Sequence, residues 1–376
     1  MRIAIVSTFY PYRGGIAQFN AKLVRELESL GHEVQNWNFS RQYPSVLFPG
    51  KTQLVSEKDS ADPVLSHRTL DSINPLSWSA TSRSVAGFKP DLVLIRYWTP
   101  FLAPALGTVA RILRKKGFTV LAIADNIIPH ENSAMDSFLS GYFIRQVRGC
   151  FCMTREVEAQ ALKLLPGIPT EVRPHPVYDH FAEPVDRALA RQKFGYSNDQ
   201  KVLLFFGLIR PYKGLDVLIE AFAKLDDSYR LIIAGETYAG RTELERQLEN
   251  HRGKDRILWI DKYIDDQDVP ELFAVADVVV LPYRSATQSG ITAMAFHFGI
   301  PVIATNVGGL AETIEHGRNG LIVSAPDAGE LASSINTYFD SGGFSHFRVD
   351  REAMRKKFSW QEFVGALLNF SERVRV

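Results

Sequence analysis

Cysteine is nearly missing from this chain of 376 residues, where only Cys150 and Cys152 occur. They stand two apart in the apolar stretch 150–153, which puts both on one face of a strand and argues against disulfide or metal roles. An excess of either charge is missing too, since 43 lysines and arginines meet 42 aspartates and glutamates. A balanced surface has no general field to collect polyanions, so no nucleic acid is expected as a partner. The opening Met1-Arg2-Ile3-Ala4-Ile5-Val6 is too short for a secretory h-region and is followed by a turn. It reads as a buried strand, and a cytoplasmic protein is expected.

What is present is apolar material for full cores, 45% of residues, in a chain long enough for two domains. Short apolar runs at 3–6, 92–95, 120–124 and 151–153 alternate with helical patterns such as Ile16, Phe19, Leu23, Val24, Leu27 and Leu30. That alternation is the βαβ signature of a parallel sheet. A polar, irregular stretch runs from His175-Pro176-Val177 to about Gln200, and the alternation restarts at 202–206, 231–234, 257–260, 278–281, 302–304 and 321–323. An α/β protein of two doubly wound domains follows, 1–178 and 201–357, with a linker over 179–200. Residues 41–88, broken by Pro44, Pro49, Pro63, Pro75 and many serines, are expected to form a long excursion rather than core. Phe363, Leu367, Leu368 and Phe370 recur at helical intervals in 358–376 and predict a packed terminal helix.

Ligands of open parallel sheets sit beyond the carboxyl ends of the strands, so the loops after the apolar runs are the ones to inspect. In Phe206-Gly207-Leu208-Ile209-Arg210-Pro211-Tyr212-Lys213-Gly214, two cations flank a proline between glycines, ahead of a helix with Leu215, Leu218, Ile219 and Phe222. That is equipment for a pyrophosphate, although the same spacing occurs in plain solvated loops. Gly14-Gly15 opens the helix after the first strand, where missing side chains let N–H groups approach a phosphate. No third glycine completes a dinucleotide fingerprint, which disfavours a nicotinamide enzyme. Ser289 and Gly290 begin a helix carrying Ile291, Met294, Ala295 and Phe298, a further anion seat. Thr305-Asn306-Val307-Gly308-Gly309-Leu310 is a fourth glycine loop, with Glu312 expected inside the next helix. Any one of these could be a turn; together they point to a phosphorylated ligand. Asp266-Gln267-Asp268 matches a metal-binding Asp-x-Asp superficially, but Asp268 with Glu271 reads better as a helix cap, so no metal is expected.

The series Gly-x-x-Arg-Pro-x-Lys-Gly-Leu-Asp, then Ala276-Asp277-Val278-Val279-Val280-Leu281-Pro282, then Gly299-Ile300-Pro301 through Gly308-Gly309-Leu310-Ala311-Glu312, then Gly317-x-x-Gly320-Leu321, resembles family-four retaining glycosyltransferases. The likeness covers nearly the whole chain. It implies the GT-B fold, with two Rossmann-like domains facing each other across a cleft, the first binding an acceptor and the second a nucleotide sugar. It implies that Gly15 contacts the donor phosphates, that Lys213 and a neighbouring arginine clamp the diphosphate, and that 358–376 crosses back onto the first domain. By analogy the nucleotide base meets backbone around Asp261-Lys262-Tyr263. Catalytic roles fall on Arg210, Lys213, Asp125 and His130, and donor binding on Gly14, Gly15, Gly207, Tyr263, Thr287, Gln288, Ser289, Gly290 and Ile291.

Three departures stand out. Leu208 occupies the place of the family's arginine after the glycine, and the charge sits at Arg210. The family's Glu-x7-Glu pair falls on Ala286 and Met294, leaving Thr287, Gln288 and Ser289 as substitutes. The histidine that often follows the strand ending at Ala124 is replaced by Asp125, with His130 and Glu131 further on. The expected reaction moves a sugar from a UDP- or GDP-type donor to a glycan, lipid-linked or small-molecule acceptor, without a cofactor. A catalytically silent nucleotide-sugar-binding protein and a nucleotide-sugar 2-epimerase are the alternatives. Arg111, Arg114, Lys115 and Lys116, beside Leu106, Val109 and Leu113, are either the favourable cations of a helix C-terminus or a peripheral contact with an anionic inner membrane face.

Overall fold

A computed structural model describes residues 1–44, 53–55, 62–128, 133–176, 185–237, 240–286 and 289–375. His130, Glu131, Thr287 and Gln288 lie outside the described residues, as does the first part of the expected linker. The chain divides into two units, Met1–Pro174 with Trp360–Val376, and His175–Ser359.

In the first unit the elements run β1 (Arg2–Val6), α1 (Gly15–Ser29), β2 (Glu33–Arg41), β3 (His67–Asp71), α2 (Pro75–Phe88), β4 (Leu92–Tyr97), α3 (Ala103–Lys115), β5 (Val120–Ala124), α4 (Ala134–Ile144), β6 (Gly149–Cys152), α5 (Arg155–Leu164) and β7 (Thr170–Val172). The seven strands pair in parallel in the order β3-β2-β1-β4-β5-β6-β7. Val6 lies opposite Trp37 of β2 and Ile95 of β4. Because successive strand side chains point to opposite faces, Ala4 and Val6 join one apolar layer while Ile3 and Ile5 join the other. Both faces are covered, which is why these strands read as unbroken apolar runs.

The second unit continues with α6 (Arg187–Phe194), β8 (Lys201–Phe206), α7 (Leu215–Phe222), β9 (Tyr229–Ala234), α8 (Arg241–Glu249), β10 (Ile257–Ile260), α9 (Val269–Val275), β11 (Val278–Leu281), α10 (Gly290–His297), β12 (Val302–Thr305), β13 (Gly320–Val323), α11 (Ala328–Asp340) and α12 (Arg351–Lys357). Its parallel order is β10-β9-β8-β11-β12-β13. Val202, Leu204 and Phe206 face one layer, Leu203 and Phe205 the other. In each unit the winding reverses beside the first strand, between β1 and β4 and between β8 and β11, which places a ligand edge at the carboxyl ends of those strands. The last helix, α13 (Trp360–Arg373), packs in the first unit, where Trp360 lies 4.7 Å from the Phe19 ring and Phe363 5.0 Å from Phe151, centroid to centroid.

Four expectations are corrected. The excursion at 41–88 contains β3 and α2, and Leu70, Val85 and Phe88 are core residues. The strand expected at 151–153 is Gly149–Cys152. The stretch expected to be irregular up to Gln200 contains α6, whose buried Arg191 donates to three carbonyls, at Ser197, Asn198 and Gln200, and to Asp277 at 2.7 Å. Glu312 stands in a short 3-10 turn, Leu310–Thr313, which stops where Ile314 takes an extended backbone conformation.

Candidate functional site

The ligand edge of the second unit is assembled by loops that approach too closely for side chains. β8 ends at Phe206, and Gly207 turns away at φ 99° while its N–H donates to the Ala234 carbonyl of β9 at 2.9 Å. A Cβ at Gly235 would stand 2.1 Å from the Gly207 carbonyl oxygen, and one at Gly214 would stand 2.0 Å from that of Pro282. Only glycine allows the chains after β8, β9 and β11 to meet in this way.

Between Gly207 and Gly214, Pro211–Lys213 form a single 3-10 turn. The turn tucks Lys213 inward, leaving it 8% exposed, whereas Arg210 at its entrance is exposed. The Lys213 ammonium lies 5.6 Å from the Tyr283 ring centroid, and a Cβ at Gly207 would be 3.3 Å from its Nζ. Among the described residues no carboxylate pairs with it. Burial first, and the like charge of Arg210 second, lower this lysine from 10.5 to about 8. A buried cation without a counter-charge is costly to the fold and is a receptor for an anion.

The start of α10 meets the same place, since a Cβ at Gly207 would also stand 3.2 Å from Ile291 Cδ1. Ser289 caps this helix, its Oγ accepting from the Ile291 N–H at 3.3 Å. Ala286 and Met294, where the family's carboxylates would stand, are 4% and 7% exposed and belong to the apolar layer. Gly207, Lys213 and Ile291 are thus brought together, with Ser289 and Gly290 at the head of the same helix. Tyr263 is exposed on the loop after β10, two strands from β8 or about 10 Å at ordinary strand spacing. Its neighbour Asp261 accepts from the Thr237 N–H at 2.8 Å and pairs with Arg241 at 2.7 Å, tying the loops after β9 and β10 together. Asp268 does precede α9, but its side chain makes no capping bond. Glu271 pairs with Lys193 at 2.5 Å instead, which corrects the expected cap.

In the first unit Gly14 caps α1 at φ 114° with no capping side chain. Asp125 follows β5 and is held by Arg96 of β4 through two bonds, Nε to Oδ2 at 2.5 Å and Nη2 to Oδ1 at 2.6 Å. Both residues are buried. The same guanidinium donates to Asn20 Oδ1 at 3.2 Å and lies 3.8 Å from the Phe19 ring centroid. Asn20 in turn donates to Ser7 Oγ and to the Thr8 carbonyl, each at 2.8 Å. A polar chain therefore links the ends of β1, β4 and β5. Sequence reading missed Arg96, although a charge closing the apolar run Leu92-Val93-Leu94-Ile95 was its available signal. It also missed Asp216, Tyr283 and Arg284, which surround the Lys213 turn.

Among the described residues no helix is long and apolar enough to cross a membrane. Residues 186–357 match the family described as glycosyl transferases group 1. D-inositol 3-phosphate glycosyltransferase of Mycolicibacterium smegmatis is 33% identical over 220 residues, covering 57% of this chain and 50% of the relative. The chain spans about half the length of the curated relatives it matches. Among solved structures, sucrose-phosphate synthase from Thermosynechococcus elongatus superposes with a TM-score of 0.78 over 99% of this chain and 98% of its own, at 19% identity. HepE of Anabaena in complex with UDP and glucose superposes with a TM-score of 0.72 over 98% and 100%, at 18% identity. These likenesses bear out the fold expected from the sequence, GT-B with its Rossmann-like units.

Proposed function

We propose that this chain, whose residues 186–357 match the family described as glycosyl transferases group 1, transfers a sugar from a nucleoside-diphosphate sugar to an acceptor. The observation that carries the reading is the Lys213 ammonium, buried at the glycine-lined end of β8 with no carboxylate paired to it among the described residues. As the bond from the anomeric carbon to the diphosphate breaks, its electron pair goes to the departing oxygen. Lys213, Arg210 and the N-terminus of α10 stabilise the charge that develops there. The acceptor hydroxyl oxygen forms the new bond to the anomeric carbon and passes its proton to the departing diphosphate oxygen. In this reading side chains and backbone supply the positive charge, the donor is of UDP or GDP type, and the configuration of the sugar is retained. Asp125, oriented by Arg96, belongs to the acceptor side, and the acceptor is a glycan, a lipid-linked sugar or a small molecule.

The experiment is donor turnover in Lys213→Ala, expected to fall by about 10²–10³, the usual loss for one transition-state donor. Unchanged transfer would refute the reading. The burial of Ala286 and Met294 favours a second reading, a nucleotide-sugar-binding protein without turnover. Calorimetry with a product assay separates the two: binding without release or transfer of sugar supports the second.

A further inference from the structure

Arg284 is exposed, yet it makes more directed bonds to one short segment than an incidental surface arginine would. Its Nη1 donates to the Pro211 carbonyl at 3.0 Å and to Asp216 Oδ1 at 2.7 Å, and its Nη2 to Asp216 Oδ2. Its backbone N–H donates to the Tyr212 carbonyl at 2.7 Å. Pro211 and Tyr212 immediately precede Lys213, and Asp216 lies in the first turn of α7 just beyond it, so one residue grips both sides of the lysine. The two residues before Arg284 complete the mould: the Tyr283 ring faces the Lys213 ammonium, and the Pro282 carbonyl fills the space that a side chain at Gly214 would need.

Stability does not account for this geometry. The side chains of Arg284 and Asp216 are 43% and 46% exposed, and ion pairs so exposed contribute only about 0–1 kcal/mol. Position does account for it. Lysine is a compact charge on a flexible stem, so it directs its charge at one place only when its backbone and its walls are fixed.

We propose that Arg284 and Asp216 are positioning residues that clamp the Pro211–Lys213 turn against the loop after β11 and so aim Lys213 at the diphosphate, an inference that rests on the diphosphate reading of Lys213. The clamp ties the strand-end loops on either side of the point where the second sheet reverses.

The test measures UDP, GDP and ADP binding by calorimetry in the wild type, Arg284→Ala, Asp216→Asn, Lys213→Ala and the Arg284→Ala/Lys213→Ala double variant, each checked for an unchanged circular dichroism spectrum. Arg284→Ala is expected to weaken the bound nucleotide by about tenfold, and by less than about twofold when Lys213 is already alanine. Arg284→Lys, which keeps the charge but not the fork, is expected to recover part of the loss. An Arg284→Ala loss that is absent, or equally large in both backgrounds, overturns the clamp. Arg318, paired with Glu315 at 2.7 Å on the surface, is the control, and a comparable loss in Arg318→Ala would also overturn it.

A second readout needs no ligand. Arg210 and Tyr283 face Lys213 in wild type and variant alike, so the Lys213 titration followed by NMR is expected to move upward in Arg284→Ala as the loosened turn admits water. A midpoint that stays in place counts against the clamp. If the wild type binds none of the three nucleotides, the diphosphate reading fails, and the Lys213 titration still decides the clamp.

Discussion

At the scale of single residues, Lys213 and the Arg96–Asp125 pair hide charge in opposite ways. Lys213 is buried with no carboxylate paired to it among the described residues, and its fall from 10.5 to about 8 corresponds to roughly 3 kcal/mol against folding at pH 7, at about 1.4 kcal/mol per pH unit. The folded value lies below the unfolded one, so the cost is full below pH 8 and disappears as pH rises towards 10.5. Lys213→Met is therefore expected to be more stable than the wild type in urea at pH 7, by an amount that shrinks between pH 8 and 10.5. A bound diphosphate reverses the effect by favouring the ammonium: affinity should be highest below pH 8 and fall by up to about tenfold per pH unit above it, measurable by calorimetry across pH 7–10. Arg96 and Asp125 are hidden as a pair. Asp125→Ala leaves a buried guanidinium uncompensated and is expected to cost about 3–5 kcal/mol in denaturant unfolding. Sequence made Lys213 visible through the glycines and the proline around it. The pairing of Arg96 with Asp125 was not visible, because the partners are 29 residues apart and meet only when β4 and β5 lie side by side.

At the scale of elements, β5 and β11 stand at their expected residues, since burial on both faces demands consecutive apolar residues, and the half-buried edge strand β10 is also found at 257–260 as expected. The edge strand β3 was missed because only Leu70 in His67–Asp71 is buried, and α2 because Thr81 and Ser82 occupy buried positions on it. Loop geometry was partly legible, since glycine marks where a bend is needed without saying which chain comes close. Gly214 shows the difference. Its φ of 65° and the Pro282 carbonyl both exclude a side chain. Gly214→Ala should cost about 1–3 kcal/mol for the backbone conformation alone, and should weaken nucleotide binding as the Lys213 turn shifts. Thermal unfolding and calorimetry on the same variant check both effects.

At the scale of the whole molecule, the first unit is built from two stretches of chain. Trp360 and Phe363 pack against Phe19, Phe363 and Phe370 against Phe151, and all five rings are buried. Trp360→Ala is expected to lower stability by about 3–5 kcal/mol, seen as a lower Tm. The arrangement also constrains biosynthesis. After Pro174 leaves the ribosome, another 185 residues, His175–Ser359, must be made before α13 can begin to emerge. At about 5–20 residues per second that is on the order of 10–40 s. Throughout that interval the nascent chain carries an uncovered aromatic face around Phe19 and Phe151, a ready surface for a chaperone and a hazard on crowded polysomes.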